Sequence, residues 1–120
     1  MHGLGELEAA VMNVLWHDGG PLKVRQVLER LDTGRQLAYT TVLTVLDNLH
    51  RKEWVTRELE GNAYRYRPRT SRAEAAANAL RDVLIASGDP EAALLHFARS
   101  ATEEESAVLR RALRRKSSDR

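Results

Sequence analysis

The stretch YTTVLTVLDNL, residues 39–49, decides how the fold is assigned from the sequence. Its valines and leucines recur at spacings of three and four, which is the period of an α-helix with one buried face. Three of its first six residues are threonine, although β-branched residues lose side-chain freedom in a helix and favour strands. The pattern therefore predicts a helix, and its threonines need an explanation other than helix propensity.

The polar side chains of this helix lie opposite its apolar face. A recognition helix presents its N-terminal residues to base edges in the major groove of DNA. Threonine suits this role because its hydroxyl can bond to a base or a phosphate and its methyl group can contact thymine. The alternative is that the threonines cap the helix and bond back to its carbonyls. That alternative explains Thr40 or Thr41 better than Thr44, which lies inside the helix.

Basic side chains extend the same surface. Arg51 and Lys52 follow at the end of the helix, where they can contact phosphates, and Arg65 and Arg67 follow in the next predicted element. The hydroxyl of Tyr39 can donate to a phosphate at the start of the helix. The predicted DNA-binding residues are Tyr39, Thr40, Thr41, Thr44, Asn48, Arg51, Lys52, Arg65 and Arg67.

The segments around this helix predict a winged helix-turn-helix. Apolar residues at helical spacing predict a helix over about residues 4–17 and a shorter one that ends at Asp32-Thr33-Gly34. After the third helix, residues 54–59 and 63–67 alternate apolar and polar side chains on either side of a glycine-containing turn, which is typical of a β-hairpin. The segment at residues 20–22 can add a third, edge strand.

Residues 71–120 are alanine-rich and predict three further helices, with capping signals at Ser71, Asp89-Pro90 and Thr102. So short a segment does not readily build its own core, so its apolar stripes either fold back on residues 1–70 or pair with a second copy. We favour the second copy because symmetric dimers are the commonest oligomers. The predicted dimerisation residues are Leu80, Val83, Leu84, Leu94, Leu95, Phe97, Val108, Leu109 and Leu113.

The predicted fold class is therefore α+β, mainly α with a small β-hairpin wing. It consists of a winged helix-turn-helix DNA-binding domain over residues 1–70 and a three-helix dimerisation domain over residues 71–120. The 120 residues carry a net charge of +2, but the basic excess between residues 51 and 69 is more informative about an anionic partner than the total.

Composition argues against several other classes of protein. The chain has no cysteine, which excludes disulfides and thiolate chemistry and suits a reducing cytoplasm. No apolar run approaches the roughly 20 residues of a membrane span, and the N-terminal residues do not resemble a secretory signal, so we expect a cytoplasmic protein without membrane insertion. The four histidines lack the spacing of metal ligands, and no nucleophile-base pair or phosphate-binding loop is present. We therefore expect neither an enzyme nor a bound metal or cofactor.

Three motifs resemble the BlaI/MecI/CopY family of penicillinase repressors. They are L-x-x-L-E-x-x-V-M-x-V-L-W at residues 4–16, A-Y-T-T-V-L-T-V-L-D-N-L-x-R-K at residues 38–52 and G-x-A-Y-R-Y-x-P at residues 61–68. The resemblance spans essentially the whole chain and is most specific in the central motif. It implies a cytoplasmic homodimeric repressor that binds dyad operators before β-lactamase or related genes. It also implies release through proteolysis in the dimerisation region, triggered by a membrane β-lactam sensor protease, so the expected protein partner besides a second copy is that sensor protease or a downstream protease.

The chain departs from the family pattern at three places. It lacks the C-terminal cysteines of the copper-responsive branch, which favours the penicillinase branch without a metal effector. Lys52-Glu53 stands where Lys-Gly is usual, so we expect a strained Glu53 or a different helix end. His96-Phe97 matches the Asn-Phe bond cut in staphylococcal members and is the candidate cleavage site. Two alternatives remain open: a winged-helix protein-interaction module and a repressor of unrelated genes.

Overall fold

The computed structural model describes residues 3–33 and 36–118. This part of the chain contains six helices and one two-stranded antiparallel sheet, which confirms the predicted mainly α, α+β fold class. Gly34, predicted to end the second helix, lies outside the described residues. The elements are α1 (Glu6–Asp18), α2 (Val24–Arg30), α3 (Tyr39–Arg51), β1 (Val55–Glu60), β2 (Ala63–Pro68), α4 (Arg72–Ala86), α5 (Pro90–Ser100) and α6 (Glu103–Ser118).

The chain divides into two compact units, Met1–Ala79 and Leu80–Arg120, so the division falls inside α4. The beginning of α4 belongs to the N-terminal unit. Ala75 is buried there, and the Arg72 guanidinium lies 5.0 Å from the centre of the Trp16 ring. Trp16 Nε1 also donates a hydrogen bond of 2.9 Å to the carbonyl of Thr70. These contacts attach the start of α4 to α1.

The core of the N-terminal unit comes from α1, α2, α3 and the hairpin. The predicted apolar face of α3 packs in this core, and its two valines and two leucines are all buried. Each such side chain contributes roughly 1.5–3 kcal/mol through burial. The buried core residues are Val11, Met12, Leu15, Leu22, Val24, Val27, Val42, Val45, Leu46, Leu49, Val55 and Tyr66.

The hairpin register decides which of its side chains face the core. Arg57 pairs with Tyr66 and Thr56 pairs with Arg67, and side chains of paired residues share a face of the sheet. Because Tyr66 is buried, Arg57 lies on the core-facing side and Arg67 on the opposite side. The predicted edge strand is reduced to a single bridge, in which Leu22 and Tyr66 exchange backbone hydrogen bonds of 2.9 and 2.8 Å.

Helix α3 ends in a left-handed turn at a residue other than glycine. Glu53 has a φ of 64°, which confirms the strain expected from the Lys52-Glu53 departure. The turn is held by the backbone N–H of Trp54, which donates to the carbonyl of Leu49 at 2.9 Å. The Glu53 carboxylate also pairs with Arg69 at 3.3 Å, so its side chain connects the helix end to the end of the hairpin.

The C-terminal unit has well-formed helix starts but exposed apolar faces. The predicted caps of α5 and α6 are confirmed, because Asp89 accepts from the backbone N–H of Ala92 and Thr102 from that of Glu105. The predicted cap of α4, which begins in the N-terminal unit, is also confirmed, because Ser71 accepts from the backbone N–H of Glu74. None of the predicted dimerisation residues is buried, and all except half-buried Leu84 are exposed. No helix in the described part of the chain is long and apolar enough to span a membrane.

Candidate nucleic-acid interface

The outer face of α3 carries short polar side chains opposite the core. Thr40, Thr41 and Thr44 are exposed, while Val45 and Leu46 on the other side of the same turns are buried. Ala38 caps the helix without a side-chain hydrogen bond. The threonines therefore lie on a solvent-facing surface at the N-terminal end of the helix, where a recognition helix contacts bases.

Thr44 differs from the expectation drawn from the sequence. Its hydroxyl donates a 2.9 Å hydrogen bond to the carbonyl of Thr40, one turn earlier. The sequence analysis held that back-bonding explains Thr44 less well than Thr40 or Thr41, and this expectation was wrong, because a threonine inside a helix can satisfy its own donor locally. Thr44 is exposed, and the hydroxyl oxygen that donates to Thr40 can still accept a hydrogen bond from a base.

The basic residues at the end of α3 have different surroundings. Arg51 is exposed and donates to the side-chain oxygen of Asn48. Lys52 instead pairs with Glu8 of α1 at 2.8 Å, and this hydrogen bond lowers the pKa of Glu8 below its ordinary value against the opposing effect of burial. The backbone N–H of Gly5 donates to the same carboxylate oxygen at 2.9 Å. Lys52 thus connects the end of α3 to the start of α1.

The two predicted wing arginines also differ. Arg65 is about two-thirds buried and pairs with Glu60 across the hairpin turn. Arg67 is exposed, and it has no ion pair within residues 3–33 and 36–118. Both lie on the face of the wing that points away from the core. Arg67 is therefore the better placed of the two for a phosphate.

A side-chain cluster that the sequence analysis missed joins the wing to α3. The guanidinium of Arg57 lies 4.2 Å from the centre of the Tyr64 ring, and its Nη1 atom is 3.0 Å from Oδ1 of Asp47. Beside it, burial raises the pKa of the Tyr66 phenol, and Arg57 opposes that rise. Strand alternation places Arg57 and Tyr64 on one face of the hairpin, but the contact with Asp47 depends on how the hairpin packs on α3.

Arg25 is a second residue that the sequence analysis missed. It is exposed on α2, and its guanidinium lies 5.7 Å from the centre of the Tyr39 ring at the start of α3. The distance falls within the range of a cation–π contact. The helix-turn-helix brings these two residues together, whereas the sequence separates them by the α2–α3 connection. The signal that the sequence offered for this contact was the position of Arg25, a basic residue in the first turn of a short helix.

Comparisons of the sequence with known proteins show which family the chain belongs to. The sequence pattern that defines the penicillinase repressors matches residues 4–115, which is most of the chain. The chain is also 45% identical over 113 residues to a Mycobacterium tuberculosis protein named transcriptional regulator BlaI, covering 92% of this chain and 82% of that protein. The chain therefore belongs to the penicillinase repressor family, whose members are transcriptional repressors and not enzymes.

Solved structures with lower identity support the fold alone. One is MepR, a transcription regulator of the Staphylococcus aureus multidrug efflux pump MepA, with a TM-score of 0.51 and 17% identity over 98% of this chain and 80% of that chain. Another is a MarR family protein from Bacillus stearothermophilus, with a TM-score of 0.50 and 19% identity over 98% of this chain and 76% of that chain. Both are consistent with the winged-helix architecture.

Proposed function

We propose that this chain is a homodimeric repressor that inserts α3 into the major groove of a dyad operator. The observation that carries the proposal is the division of α3 into a fully buried apolar face and an exposed face with three threonines at its N-terminal half. Threonine side chains allow close approach to the base edges and offer both a hydroxyl and a methyl group. Membership of a repressor family supports the same function.

Phosphate contacts position the helix in this proposal. Arg51 and Arg67 are exposed, and Arg25 and Tyr39 lie together at the other end of α3. Lys52 and Arg65 are expected to contribute less to phosphate binding, because each already pairs with a carboxylate.

Arg67→Ala should weaken binding to all DNA sequences and reduce the slope of log affinity against log salt concentration by about one, with a smaller effect for Arg65→Ala. Equal effects of both substitutions would contradict this ranking.

To test whether Thr44 reads a base, the operator must first be identified. Fragments of the host genome that the protein retains would give the operator sequence and its dyad spacing. Affinities of Thr44→Ala for that operator and for point variants of it should then show relaxed preference at one base pair, with little loss on unrelated DNA. Equal losses on every sequence would show that Thr44 does not read a base.

The C-terminal helices supply the proposed dimer interface. Leu94, Leu95 and Phe97 of α5 are each about half exposed, and α4 and α6 carry similar apolar residues. Contiguous exposed apolar residues of this kind mark interaction surfaces in soluble proteins. A second copy of the same unit offers the same residues, as an isologous interface requires. We expect sedimentation to give a dimer for the full chain at micromolar concentration, and a monomer would contradict the proposed architecture.

The family resemblance supports a proposal about the regulated genes and the inducing signal. We propose that the repressor controls β-lactamase or other β-lactam-resistance genes in the cytoplasm and is released when an antibiotic signal from a membrane sensor protease leads to proteolysis. The candidate bond, His96–Phe97, lies in the interior of α5 and both side chains are exposed. Proteases bind extended backbone, so cleavage there requires α5 to open locally. Mass analysis of the repressor after β-lactam treatment of the host would identify the bond that is cut.

A further inference from the structure

Asp47 places a carboxylate on the outer face of the proposed recognition helix. The helical period puts it on the same side of α3 as Thr40, Thr44 and Arg51. Its side chain is 48% exposed, although the opposite side of the same turn is buried in the core. A negative group thus lies within a surface that is otherwise hydroxyl-bearing and basic, and that surface is proposed to approach a polyanion.

This position is unfavourable for an aspartate on general grounds. Aspartate is a poor helix former in a helix interior. Asp47 lies in the C-terminal half of α3, where the helix dipole favours cations over anions. Its charge also repels phosphates, which dominate the affinity of DNA-binding proteins. Neither helix stability nor general DNA affinity therefore accounts for the residue.

The structure holds the carboxylate in one orientation. Arg57 Nη1 donates to Asp47 Oδ1 at 3.0 Å, and the Arg57 guanidinium is itself stacked on Tyr64 at 4.2 Å. A half-exposed ion pair of this type contributes little to stability. Its geometric consequence is larger, because one carboxylate oxygen is fixed by the wing and the other remains available as a hydrogen-bond acceptor.

We infer that Asp47 is a specificity-determining residue that accepts a hydrogen bond from the N4 amino group of a cytosine in the operator, and that Arg57 is the residue that positions it. The inference rests on the proposed DNA-binding function. In the major groove, guanine presents only acceptors and thymine presents an acceptor and a methyl group, so both repel or fail to bond a carboxylate. Adenine offers its amino group next to an acceptor, whereas the cytosine edge offers the donor alone.

Selection from a pool of randomised duplex DNA tests the inference. The wild-type repressor should enrich a dyad site in which one base pair per half-site requires cytosine. Asp47→Asn should enrich the same site with that position relaxed or changed to adenine, because asparagine can bond to adenine N6 and N7. On defined duplexes, the preference for cytosine should fall about ten-fold or more, while affinity for random DNA rises as the repelling charge is removed.

Two further variants separate base reading from charge and from folding. Glu58→Gln removes the same charge from an exposed position on the outer face of the wing and should leave the cytosine preference unchanged. Arg57→Gln should relax the same base pair as Asp47→Asn, and the double variant should relax it no further than Asp47→Asn alone. A purely structural role for Arg57 would instead lower affinity for every sequence alike.

The results for the wild type and for Asp47→Asn distinguish a failure of base reading by Asp47 from a failure of the proposed DNA-binding function. If the wild type enriches a dyad site and Asp47→Asn retains the same requirement at every position, Asp47 does not read a base. If the wild type enriches no sequence and shows no salt-sensitive binding, the proposed DNA-binding function fails as well.

Discussion

The two units of this chain use apolar side chains in opposite ways. In the N-terminal unit, the leucines and valines of α1, α2 and α3 are buried against one another and against the hairpin. In the C-terminal unit, the leucines of α4, α5 and α6 other than half-buried Leu84 are between 41% and 65% exposed. The helical spacing of apolar residues predicts the helices of both units, so this local sequence signal does not distinguish the units. The difference is that the first unit contains its own packing partners and the second does not.

The largest effect is expected from a cavity in the self-contained core. Leu46→Ala removes a fully buried side chain and should lower the free energy of unfolding by roughly 2–5 kcal/mol. Urea denaturation should give the same loss at every protein concentration, because the cavity lies within one unit. A loss that shrank at high concentration would mean that this core is completed by a second copy.

A charge on the exposed C-terminal surface should act on association. Leu109→Glu places a carboxylate in the apolar stripe of α6 and should weaken the proposed dimer about 100-fold, as expected for an interface hot spot. Sedimentation over a dilution series measures the change. Ala107→Glu is the matched control, since it adds the same charge to the opposite side of α6 and should leave the dimer intact.

Replacement of the strained residue at the end of α3 should stabilise the N-terminal unit. Glu53→Gly removes the cost of a left-handed conformation and should raise the free energy of unfolding by about 0.5–1 kcal/mol. The gain is reduced by the lost ion pair with Arg69, which is solvent-exposed and weak. Arg69→Gln measures that pair separately by thermal or urea denaturation. A net loss for Glu53→Gly would show that the pair outweighs the strain.

The smallest effect concerns the pair between Glu8 and Lys52. Because the folded state lowers the pKa of Glu8 from 4.5, the pair stabilises the fold above that pH and loses its contribution as the pH falls through the folded-state pKa. Glu8→Gln should therefore cost about 0.5 kcal/mol near pH 7, and the difference from wild type should vanish in acid. A difference that is independent of pH would assign the effect to packing of the side chain.

Periodicity and turn residues were sufficient to predict the order of helices and the hairpin, because these depend on local spacing. The exposed threonines of α3 were predicted for the same reason. The Arg57–Asp47 and Arg25–Tyr39 contacts were not predicted, since each joins two elements whose relative packing is a tertiary property. The back-bond of Thr44 was missed because a threonine has both local and intermolecular partners available, and its sequence position does not choose between them.

Helix α5 gives the proposed release mechanism a dependence on time and concentration. It has only 11 residues and no buried side chain in this chain. Isolated helices of that length are marginally stable in water, so we expect α5 to open locally more often when no partner covers it. A protease that cuts His96–Phe97 would then act mainly on dissociated chains and off the operator. Each cut would remove a subunit from the pool that can re-form dimers, so the rate of induction would follow the lifetime of the dimer.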